Sequence, residues 1–64
     1  MKFRIENMTC GGCARAVTAT VKELDAQAEV NIDVETKLVE IQSEQRAEAI
    51  IAALTEDGFP PIAV

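Results

Sequence analysis

Cys10 and Cys13 are the only two cysteines of this chain, and it contains no histidine. They stand in the stretch Met8-Thr9-Cys10-Gly11-Gly12-Cys13. Two thiols separated by two residues can close on one soft metal ion, or on each other. The thiolate, not the thiol, is the metal ligand and the nucleophile. Two thiolates without an imidazole select soft ions, and Cu(I) accepts two sulfurs in near-linear geometry with room for a third. Structural zinc takes four ligands. This chain offers two, so Zn(II) would need water, a carboxylate or a second molecule. Glu6, the nearest preceding acid, is four residues from Cys10, and Thr9 occupies the position where a carboxylate could have completed a zinc site. Cu(I) therefore ranks above Zn(II). A lone C-x-x-C is a weak signal, so its setting decides how far it can be read.

That setting comes from the hydrophobic pattern. Residues 2–6 alternate, with Phe3 and Ile5 on one side and Lys2, Arg4 and Glu6 on the other, which predicts a half-buried strand. Residues 7–12 read as a loop. From Cys13 the period changes: Cys13, Val17, Val21 and Leu24 fall on one stripe of a helix that ends near 25. β-Branched Thr18, Thr20 and Val21 lower its intrinsic helicity, so packing on a sheet must hold it.

Val30, Ile32 and Val34 mark a second strand, and Val39 and Ile41 a third, joined by a short hairpin at Glu35-Thr36-Lys37. Leu38 falls on the exposed phase and reads as a hairpin-end residue. Ser43 is the expected N-cap of a second helix, with Glu44 in its first turn. Ala47, Ile50, Ile51 and Leu54 form its apolar stripe, and Gly58 fits the C′ position that stops it. After Phe59-Pro60-Pro61, residues 62–64 can form a short last strand at a sheet edge.

The order strand, helix, strand, strand, helix, strand predicts a ferredoxin-like βαββαβ sandwich of the α+β class. Both helices would cover one face of a four-stranded antiparallel sheet. Cys10 then falls in the loop after the first strand and Cys13 at the start of the first helix. Unpaired N–H groups and the positive end of the helix dipole favour thiolate there. Gly11 and Gly12 let the loop bend so that both sulfurs converge, and keep side-chain bulk away from an incoming ligand.

Composition narrows the function classes. Sixty-four residues make one small domain, read as 1–64, with too little core for a deep substrate cleft. One cysteine pair is not a disulfide framework. A net charge of −5, with Phe3 and Phe59 as the only aromatics, disfavours nucleic acid. No run approaches a membrane span, and no continuous apolar stretch resembles a signal peptide. Direct membrane insertion is not expected, and a cytoplasmic location, where thiols stay reduced, is. The opening Met1 and the lack of a trailing linker are what a free-standing protein would show.

Met8-Thr9-Cys10-Gly11-Gly12-Cys13-Ala14 resembles the M-T-C-x-x-C motif of heavy-metal-associated domains. The resemblance covers the whole chain, and Asp57-Gly58-Phe59-Pro60 is similar to the family's last-loop signature. The family includes small bacterial copper chaperones and the N-terminal modules of copper-transporting P-type ATPases. The resemblance implies Cu(I) held by Cys10 and Cys13, and delivery to the N-terminal metal-binding domain of such an ATPase. It implies a carrier rather than an enzyme, monomeric when apo, with a metal-bridged homodimer open to it.

Two alternatives stand beside this reading. One is a Zn(II)- or Hg(II)-binding module of a transporter. The other is a thiol–disulfide oxidoreductase, against which the chain is short and the motif lacks the Trp and Pro neighbours usual there. Around the pair, Met8 reads as core, with a thioether ligand as the alternative. Thr9, Gly11 and Gly12 shape the loop. Phe59 stands where family members often carry Tyr, Lys or His; it can shield the metal from water or simply pack in the core. Without a cation at that position, backbone amides and the helix terminus must balance the thiolates. Arg15 is an exposed charge or a partner contact. Many family members have Gly where this chain has Asn7; Asn also tolerates unusual backbone angles, so a local difference is expected there.

Overall fold

The elements follow from where the apolar residues can be buried together. A computed structural model of the chain describes residues 1–9 and 11–64; Cys10 lies outside the described residues. The elements are β1 (Lys2–Arg4), α1 (Gly11–Leu24), β2 (Glu29–Asp33), β3 (Leu38–Gln42), α2 (Ala47–Glu56) and β4 (Ile62–Ala63). The strands form one antiparallel sheet in the order β2-β3-β1-β4. This is the predicted βαββαβ sandwich.

Register explains which face is buried. Phe3 pairs with Val39, Val39 with Ile32, and Ile41 with Val30, so these residues share one face. That face meets Val17 and Val21 of α1 and Ile50 and Leu54 of α2, all wholly buried. The other face carries Lys2, Arg4, Glu29, Asn31, Asp33, Glu40 and Gln42, all exposed. Each fully buried aliphatic side chain contributes about 1.5–3 kcal/mol relative to exposure. The alternation in β1 and β3 thus sets the sheet's orientation.

Five local expectations are corrected. β1 stops at Arg4 rather than 6, although Ile5 stays buried and its N–H donates to Lys37 O at 2.9 Å. Helix α1 begins at Gly11, so the two glycines form its first turn instead of loop. Val34 leaves β2 for a four-residue turn, where the Asp33 carboxylate accepts from Glu35 N and Thr36 N. Leu24 lies on the predicted stripe yet is 37% exposed, because the helix ends there and the chain turns away. Ser43 does not cap α2: its hydroxyl donates to Asp25 at 2.7 Å and accepts from Gln45 N at 3.0 Å. The helix starts at Ala47 behind Arg46, which makes no side-chain cap.

The other end of α2 behaves as expected. Gly58 adopts a φ of 92°, a left-handed conformation that favours glycine. Gly58 N donates to Thr55 O and Phe59 N to Leu54 O, the paired bonds of a Schellman motif. This turn delivers Phe59 to the same end of the sandwich as the cysteine motif.

Candidate metal site

Three segments meet at the motif end: the β1–α1 connection, the β2–β3 turn, and the loop after α2. The first part of the β1–α1 connection, residues 5–8, is tied down by hydrogen bonds. Ile5 N donates to Lys37 O, and Met8 N donates to Ile5 O at 3.2 Å. Lys37 Nζ donates to Glu6 O at 3.1 Å. Asn7 Nδ2 donates to Gly58 O at 2.8 Å. Lys37 sits at a φ of 64°, so the turn places both its carbonyl and its ammonium against this connection. Met8 is wholly buried in the core and anchors the chain immediately before the motif.

Cys13 is the third residue of α1, half-buried and packed against the core. It lies in the first turn, at the positive end of the helix dipole. No acidic residue stands in that turn, whereas α2 carries Glu48 in its own. No carboxylate therefore competes for the positive end of the α1 dipole, a setting that favours thiolate over thiol in general. Gly11 is exposed, and a Cβ there would meet nothing within 4 Å. Thr9, Gly12 and Arg15 are exposed around the motif. Phe59 is half-buried and packs on the same core as Cys13. The chemistry of the donor set fits a soft ion: thiolates, no imidazole in the chain, and among the described residues no cluster of three or more Cys, His, Asp or Glu.

The structure therefore brings Met8, Thr9, Gly11, Gly12, Cys13 and Phe59 to one end of the fold, while the predicted placement of Cys10 falls outside the described residues. The local difference expected at Asn7 lies in its side chain, which joins two loops, and not in a left-handed backbone. Sequence reasoning missed Lys37 at this end, and also Asp57, whose carboxylate accepts from the Thr20 hydroxyl of α1. The signal for Lys37 was its position at the end of a turn opened by Asp33. Nothing in the Asp57-Gly58-Phe59-Pro60 segment announced the Thr20 contact. Among the described residues, no helix is long and apolar enough to cross a membrane.

Comparison with known proteins agrees with this architecture. The Heavy-metal-associated domain model matches residues 2–60. The Copper transport protein ATOX1 of Rattus norvegicus is 42% identical over 52 residues, 81% of this chain and 75% of the relative. A gold binding protein of known structure is 50% identical, with a TM-score of 0.95 over 97% of this chain and 95% of that one. The copper chaperone Atx1 from Synechocystis PCC6803 is 33% identical, with a TM-score of 0.92 over 95% of this chain and 97% of that one. With both its sequence motif and its sandwich matched across nearly the whole length, the chain belongs to the heavy-metal-associated domain family.

Proposed function

We propose that this chain is a cytosolic copper carrier that binds Cu(I) through the Cys10 and Cys13 thiolates. It hands the ion to the N-terminal metal-binding domain of a copper-transporting P-type ATPase. The observation that carries this reading is the placement of Cys13 in an acid-free first turn of α1, on an exposed diglycine entry. Relatives named as copper transport proteins and copper chaperones support it.

Transfer is ligand exchange without redox change. A partner thiolate forms a bond to the two-coordinate ion, giving a three-coordinate bridged state. One Cu–S bond to Cys13 or Cys10 then breaks, a second partner thiolate displaces the remaining cysteine in the same way, and each departing thiolate is stabilised by the α1 amides or takes a proton. A closed four-ligand cage would resist this step, whereas a two-thiolate site permits it. Phe59 neither ligates nor donates a hydrogen bond; its ring limits water at that end of the fold.

The test is a Cu(I) titration against a tight Cu(I) chelator. The expected result is one ion retained per chain, lost in Cys10→Ser/Cys13→Ser. Unchanged competition in that double variant would overturn the reading. A second cargo, Au(I), is favoured by one observation: the gold binding protein shares more of this sequence than the copper chaperone does. Both ions are soft and monovalent and suit two thiolates. Displacement of bound Cu(I) by equimolar Au(I), with no reverse displacement, would make gold the preferred cargo.

A further inference from the structure

The Asn7 side chain has no part in the thiolate chemistry, yet it makes a 2.8 Å hydrogen bond to a carbonyl 51 positions away. The backbone does not explain the residue, since Asn7 avoids the left-handed region. What the carboxamide does is bridge two anchored segments. Met8, its neighbour, is wholly buried, and Phe59, the neighbour of Gly58, packs on the core that also receives Cys13. Gly58 donates its N–H to Thr55 O, and its carbonyl accepts from Asn7. Lys37 holds the same connection one residue earlier, at Glu6 O. Removing the Asn7 bond therefore loosens only the contact between the motif's entry and the Phe59 loop.

We propose that Asn7 is a positioning residue: by clamping the motif entry to Gly58 O, it keeps the Phe59 loop against the motif and slows access to its thiols. The bond is exposed, so water competes with it and the clamp opens readily. A carrier needs that balance, with the ion shielded in transit and released on contact. The clamp rests on the copper-carrier reading only for its consequence on metal release; the thiol-access part stands without metal.

The experiment measures alkylation of each motif thiol by iodoacetamide in the metal-free protein, read by peptide mass spectrometry across a pH range. Wild type, Asn7→Ala, Asn7→Leu and Ser43→Ala are compared. Both Asn7 variants are neutral, and Leu keeps the size while removing the donor. The high-pH plateau reports access and the midpoint reports the thiol pKa. The expected result is a plateau raised about twofold to tenfold in both Asn7 variants, with the midpoint unmoved, and a wild-type profile in Ser43→Ala. Cu(I) release to excess chelator should accelerate by a similar factor at unchanged stoichiometry. An unchanged plateau in the Asn7 variants, or an equal rise in Ser43→Ala, would overturn the clamp. Failure of wild type to retain Cu(I) would instead sink the carrier reading and leave the metal-free plateaus to decide the clamp.

Discussion

At the end of the sandwich away from the motif, Asp25 accepts from Ser43 Oγ, Gln27 N and Glu44 N, and Gln45 Nε2 donates to Leu24 O. At the motif end, the loops are held by the Asn7 carboxamide, the Lys37 ammonium, the Asp33 and Asp57 carboxylates and backbone bonds. The far end gathers several donors on a single ionised side chain. The motif end distributes them over separate groups and keeps carboxylates out of the first turn of α1. Charge-assisted bonds serve both ends, but the far end concentrates its donors on one carboxylate, whereas the motif end leaves the first turn of α1 without one.

The largest effect is expected where the motif is anchored. Met8→Ala should cost about 2–5 kcal/mol by opening a cavity under the entry loop, whereas Met8→Leu should cost less than about 1.5 kcal/mol. Denaturant unfolding measures both. Retained Cu(I) affinity in Met8→Leu fits an anchor; a large loss of affinity at intact stability would make Met8 a ligand. Next comes the turn that carries Phe59. Gly58→Ala must hold a φ of 92° and should lose about 1–2 kcal/mol, read as a lower thermal midpoint.

The far end responds to acid. The Ser43 hydroxyl, then the Gln27 N–H, hold the Asp25 carboxyl below its ordinary value of 3.8 against desolvation, with the Glu44 N–H adding least. A depressed folded pKa gives stability that is fully present above the unfolded value. It is lost as pH falls through the folded one. Asp25→Asn should flatten the acid limb of the stability curve below about pH 4 without changing Cu(I) retention at neutral pH. An unchanged acid limb would mean that this closure contributes nothing. The smallest effect is expected at Arg15, exposed on the second turn of α1: Arg15→Ala should change stability by no more than about 0.5 kcal/mol. Slower transfer to an acidic partner domain in that variant would mark Arg15 as a contact.

Most of the architecture was legible because burial is periodic. Phe3, Val39 and Ile41 alternate, and Val17, Val21, Ile50 and Leu54 repeat at helical spacing, so strands and helices were read from type alone. Gly58 was equally legible, since only a left-handed stop needed it there. What failed depended on partners distant in sequence. Ser43 has the chemistry of a cap, but Asp25, 18 positions away, engages it first. Leu24 has the right phase but lies on the final turn, where the chain leaves the core and the side chain stays 37% exposed. Asn7 resembled a backbone device because its distant acceptor is a main-chain carbonyl, which has no signature in side-chain type. Cys10 and Cys13 announced themselves through residue type and spacing; the clamps around them are tertiary and did not.

The division between the two ends is tested most directly by amide chemical-shift mapping during titration with one equivalent of Cu(I). The account predicts shifts concentrated in residues 7–15 and 57–60, with Gln27, Glu44 and Gln45 unmoved. Shifts centred on Asp25 and Ser43, or an unperturbed motif at full Cu(I) loading, would contradict it.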